Sequence, residues 1–172
     1  MSIDLGLLIL RVVVGLLFAG HGAQKLFGWF GGHGLDGTAG WLAALGLKPA
    51  RVWAVMAGLG EFGGGLLLAL GLLNPLGSLA TIGAMAMAIG LVHWPKGLWV
   101  SNGGYEYPLV LLALSAVFGL LGPGRYSLDA ILGLALPTPP AFGIGLIAVA
   151  LVIGYGLSRT GQQPAHRQQQ AS

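Results

Sequence analysis

The chain alternates between long apolar runs and short segments of glycine, proline and scattered charge. A helix needs about 20 apolar residues to cross the hydrocarbon core of a bilayer. Three runs meet that length, at roughly 3–27, 52–73 and 76–93. The first contains Arg11 and the polar group His21, Gln24 and Lys25, and the second contains the single charge Glu61. The third is set off by the turn signal Asn74-Pro75. Two shorter runs follow, at about 107–121 before the breaker Gly122-Pro123-Gly124, and at about 142–157 after Pro137, Pro139 and Pro140. The pattern predicts an all-α integral membrane four-helix bundle over residues 1–135, a fifth membrane helix over 136–158 and a disordered polar tail over 159–172, where His166 is a solvated residue. The first run lacks a basic leader and a small-residue cleavage site, so it reads as a retained membrane helix.

The connection at 28–51 has structure of its own. Asp36 and Thr38 can cap a short helix presenting Trp41, Leu42, Leu45 and Leu47, which predicts an interfacial helix with Trp29 and Trp53 in an aromatic belt. Small residues recur every four positions at Gly15, Ala19 and Ala23, at Gly60 and Gly64, and at Ala80, Ala84 and Ala88. Such stripes let helix backbones approach closely in lipid.

Composition supports a lipid solvent. Of 172 residues, 55% are hydrophobic and 8% charged, with a mean hydropathy of +0.82. A soluble domain carries about 25% charged residues. The net charge of +3 is dispersed, so no basic patch suits nucleic acid. There is no cysteine, which excludes disulfides, thiol relays and thiolate-held metal within this chain. Lys25, Lys48, Arg51 and Lys96 fall on one side of the predicted membrane and Arg125 on the other, placing the first loop in the cytoplasm.

Ionisable side chains inside a membrane are costly, so each needs a function or a partner. Lys25 lies four residues after His21 and fourteen after Arg11, so all three share one helical face. Glu61 is expected near mid-depth. The topology brings His21, Gln24, Lys25, His93, Asn102, Tyr105, Glu106 and Tyr107 to one leaflet, with Glu61 beneath. Blander accounts exist for each: Lys25 can snorkel, the tyrosines can be belt residues, His93 can end a helix, and Arg11 can pair with Glu61. Gly58–Gly63 matches G-x-G-x-x-G literally but sits inside a membrane helix, without the preceding strand a dinucleotide site needs. The glycines of GWFGGHG lack the Gly-Lys-Ser/Thr of a phosphate loop. No Ser/His/Asp set or paired-carboxylate spacing suggests hydrolysis, and two histidines on separate helices are weak evidence for a metal ion. His21 and His93 offer a weak case for axial haem ligation.

The segments RVVVGLLFAGHGAQKLFGWFGGHGLDGTAGWLAALGL, GLGEFGGGLLLALGLL, VHWPKGLWVSNGGYEYPLVLL and GPGRYSLDAILG occur in order between Arg11 and Gly133. Together they resemble the DoxX family of membrane proteins. The extra apolar segment and the Gln-rich tail lie outside that family's usual four-helix unit. The resemblance implies a subunit of a quinone-linked redox complex, in some members thiosulfate:quinone oxidation or terminal quinol oxidation. On that reading His21, Lys25, Glu61 and His93 are the catalytic candidates. Arg11, Gln24, Asn102, Tyr105, Glu106 and Tyr107 are the quinone-binding candidates. Lipid and a redox partner protein are the expected partners, in the cell membrane, with a homo-oligomer compatible. The alternatives are a non-catalytic membrane anchor or scaffold for soluble redox partners, and a carrier of small solutes or lipid.

Overall fold

A computed structural model describes residues 2–134 and 136–160; the predicted tail beyond residue 160, His166 included, lies outside the described residues. Every regular element is a helix among the described residues: α1 Ser2–Phe27, α2 Gly34–Ala44, α3 Ala50–Leu70, α4 Leu76–Ala88, α5 Glu106–Leu121, the short α6 Leu128–Leu132 and α7 Thr138–Thr160. α4 continues through a π-helical turn, Ile89–His93, and a 3₁₀ turn, Trp94–Lys96. Four of these segments are long and apolar enough to cross a membrane, and α5 is a shorter apolar helix of 16 residues. The protein is a multi-pass membrane protein. Large apolar side chains on the outer face of α1, such as Leu5, Ile9, Val13 and Leu16, are exposed on the protein surface and meet lipid.

The small-residue stripes set the packing. A methyl group added at Gly65 would stand 2.6 Å from Ala19 N and from Gly15 O, and one at Gly64 would stand 2.8 Å from Ala80 Cβ. Only residues this small permit such proximity between α1 and α3 and between α3 and α4. The α1–α3 pairing is antiparallel and offset. Gly22 abuts Phe62, and Gly58 abuts Leu26. The end of α1 is thus level with the middle of α3, and the first turns of α3 project beyond it.

That projection explains the first loop. α2 covers the projecting turns, so Leu42, Leu47, Trp53 and Ala54 form a buried cluster. This corrects two expectations. Trp53 is 7% exposed, stacked against Tyr155 of α7, and is not a belt residue. Asp36 and Thr38 lie within α2 and do not cap it: Asp36 Oδ1 accepts from Arg51 Nη1 at 2.8 Å, and the Thr38 hydroxyl faces Gly34 O at 2.8 Å and Lys25 O at 3.2 Å.

α7 is longer than the apolar run suggested. Its 23 residues span about 34 Å. It runs parallel to α4, with Leu79 against Gly145, Gly83 against Val149 and Gly90 against Leu157, while Phe142 packs on Gly119 of α5. It is an integrated fifth helix. Between α4 and α5 the buried Thr81 and Ser115 hydroxyls meet at 2.9 Å.

The turn from α3 to α4 is closed in a Schellman arrangement, with Leu72 N donating to Leu67 O and Gly71 (φ +61°) in the left-handed region. The segment after α5 folds back over this turn. Asp129 is buried and accepts from Leu73 N at 2.8 Å and Asn74 N at 2.9 Å.

Candidate functional site

The polar residues of the first two membrane helices meet where α1 ends. Lys25 Nζ and Glu61 Oε2 form an ion pair, with the Lys25 side chain 27% exposed and that of Glu61 5% exposed. The offset of α1 sets Lys25 beside the middle of α3, where its ammonium reaches Glu61. A buried carboxylate requires such a partner, because an isolated charge in a low-dielectric interior is strongly disfavoured. Arg11 does not pair with Glu61.

One turn before Lys25, His21 Nδ1 donates to Gln24 Oε1 at 3.2 Å, and Gln24 Nε2 donates to Phe30 O at 3.2 Å. This second bond fixes which end of the amide faces His21, so Nδ1 carries the hydrogen of that contact. The His21 ring lies edge-on to Tyr107, with centroids 6.4 Å apart. Thus α5 contributes Tyr107 to the same group.

A cavity of about 290 Å³ opens beside Lys25, between the end of α1, the glycine loop and α2. Its polar lining comes from Gln24, Lys25, His33 and Thr38, with Trp41 supplying an aromatic wall. Gly31 and Gly32 also line it, and a methyl group at Gly32 would collide with Gln24. His33, Thr38 and Trp41 are not in the predicted set; the loop reads as glycine-rich, and nothing local in the sequence signals that it folds back onto Lys25.

The other predicted residues form a second group at the same end of the bundle. His93, the last residue of the π-helical turn, donates from Nδ1 to Gly103 O at 2.7 Å. Glu106 Oε2 accepts from Val100 N at 2.9 Å, and Tyr105 stacks on Trp94 with ring centroids 5.4 Å apart. These contacts hold the 97–105 loop in place. Asn102 lies exposed in this loop. Among the described residues, no group of three or more acidic or histidine side chains is arranged to hold a metal ion.

Arg11 stands apart. It lies about 21 Å along α1 from Lys25. Its Nη1 donates to Ala69 O at 3.1 Å and its Nη2 donates to Tyr126 O. Arg11 therefore fastens the opposite end of the bundle. Asp129, which no periodicity singled out, belongs with it there.

Among known families, the DoxX family matches residues 6–94, just over half of the chain. Neither a curated protein nor a solved structure matches the chain.

Proposed function

The chain belongs to the DoxX family, and from that premise we propose that it is a cell-membrane subunit of a quinone-linked redox complex that binds a quinone headgroup beside Lys25. The observation that carries this reading is the partly buried Lys25–Glu61 pair, whose lysine lines a cavity of about 290 Å³. That volume lies at the lower end of the range for small-ligand pockets and suits a single-ring headgroup. The donor set fits the ligand. Lys25 and Gln24 supply N–H groups for a carbonyl oxygen, and Trp41 offers a flat face for the ring. A bound quinone would supply two-electron, two-proton redox capacity. His21, bonded to Gln24 with Tyr107 against its ring, stands beside this site as the candidate for proton exchange. Glu61 holds Lys25 in position.

Lys25, Lys48, Arg51, Lys96 and Arg159 share one side, and Arg125 lies on the other; the cavity side is cytoplasmic on this reading. A redox partner then docks on the cytoplasmic face. Thiosulfate chemistry would need that partner, because this chain has no cysteine to carry sulfur.

The test is extraction of bound lipid from the purified full chain with mass spectrometry, paired with titration by a short-chain quinone read through tryptophan fluorescence. Quinone should copurify, and Lys25→Ala should weaken the titration at least tenfold in protein that remains folded. Absence of quinone in both assays, with partner recruitment unchanged in Lys25→Ala, would replace this reading with a membrane anchor. A Soret band in the purified protein would replace it with haem held by His21 and His93.

A further inference from the structure

The opposite end of the bundle holds a polar arrangement that the quinone reading does not use. Among the described residues, three buried side-chain atoms have no hydrogen-bond partner: Arg11 Nε, Asn74 Nδ2 and Ser78 Oγ. Their residues are 2%, 8% and 1% exposed. They come from α1, the α3–α4 turn and the first turn of α4. All three line the same cavity of about 10 Å³, walled by Leu68, Gly71 and Phe118.

Burial of a polar group without a partner is costly, and three such groups around one cavity point to a common ligand. We propose that this cavity is a binding site for one ordered water molecule that joins α1 to the α3–α4 turn. A cavity of about 10–15 Å³ holds one water when the site offers two to four polar partners. The chemistry matches atom by atom. Arg11 Nε and Asn74 Nδ2 only donate, and water accepts both bonds; Ser78 Oγ accepts a bond in return. A halide would also take bonds from three donors, but charge decides against it. The buried Asp129 carboxylate, bonded to Leu73 N and Asn74 N, already sets one negative charge at this end of the bundle against the Arg11 guanidinium. A further buried anion would leave the group with a net negative charge in a low-dielectric site, whereas water leaves it balanced. The site also accounts for arginine at position 11. Nη1 and Nη2 are committed to Ala69 O and Tyr126 O, and Nε remains for the water.

The experiment is a crystal structure of the full chain, grown in lipid with bromide replacing chloride, at a resolution that shows ordered waters. One density peak is expected about 2.7–3.2 Å from all three atoms, without anomalous signal. An anomalous bromide peak there would overturn the proposal in favour of an anion. So would the absence of any peak, with the three atoms bonded to other protein groups. Ser78→Val, which fills the cavity, should abolish the peak while the helices superpose on the parent; a peak that persists unmoved would overturn the three-point site.

Discussion

Lys25 and Glu61 show how a single contact reconciles charge with a membrane interior. Glu61 lies in the middle of α3, where an unpaired carboxylate would be unstable as an anion. Removing one member of a buried pair strands the other and costs about 3–5 kcal/mol. Lys25→Met should therefore lower thermal stability in detergent by an amount of that order, and Lys25→Met with Glu61→Gln should recover most of it. A double variant no more stable than Lys25→Met would contradict a structural coupling between the two. Arg11 makes a different demand, for geometry more than charge. Lysine keeps the charge but cannot bond to Ala69 O, Tyr126 O and the cavity at once. Arg11→Lys should cost about 1–3 kcal/mol in thermal denaturation, as expected when a buried polar partner is lost. Equal stability of Arg11→Lys and the parent would show that the fork shape is dispensable.

At the level of elements, the membrane helices were legible because apolar length and turn residues report directly on what lipid tolerates. The stripes at Gly15, Ala19, Gly64 and Ala80 were legible too, since close backbone approach needs small residues. The offset between α1 and α3 was not. It depends on which glycine meets which backbone atom, and a four-residue repeat fits more than one register. Trp53 was misplaced for that reason: without the offset, nothing exposes the start of α3 for α2 and α7 to cover. His33 and Trp41 are illegible as site residues for the same reason, and Asp129 because its bonds run to backbone N–H groups 55 and 56 residues away. The packing itself is testable through glycines of opposite surroundings. Gly65→Ala should destabilise by about 1–3 kcal/mol, because Ala19 N and Gly15 O leave no room for a methyl group. Gly63→Ala meets nothing within 4 Å. It should be neutral or raise stability by up to about 1 kcal/mol through helix propensity. Comparable losses in both variants would contradict the α1–α3 register.

For the whole molecule, α7 decides the topology. Five crossings put the end of α7 on the same side as Lys48 and opposite Arg125; four crossings would leave it with Arg125. Three features favour five. α7 is 23 residues long, it lies parallel to α4 from Leu79–Gly145 to Gly90–Leu157, and Tyr155 stacks on Trp53 next to α2. A helix lying along the opposite surface would make none of the contacts near its C-terminal end. The short α5 does not weaken this argument. Its 16 residues span about 24 Å against a core of about 30 Å. The preceding loop folds back with its own backbone groups bonded, Tyr105 N to Gly97 O at 3.0 Å and Glu106 N to Leu98 O at 2.8 Å. Non-helical backbone satisfied in this way is tolerated at membrane depth. The chain contains no cysteine, so single introduced cysteines can be read without background. Lys48→Cys and Ser158→Cys should react with an impermeant maleimide from one face of sealed vesicles, and Arg125→Cys only from the other. Labelling of Ser158→Cys together with Arg125→Cys would remove α7 from the set of spanning helices, and the Trp53–Tyr155 contact with it.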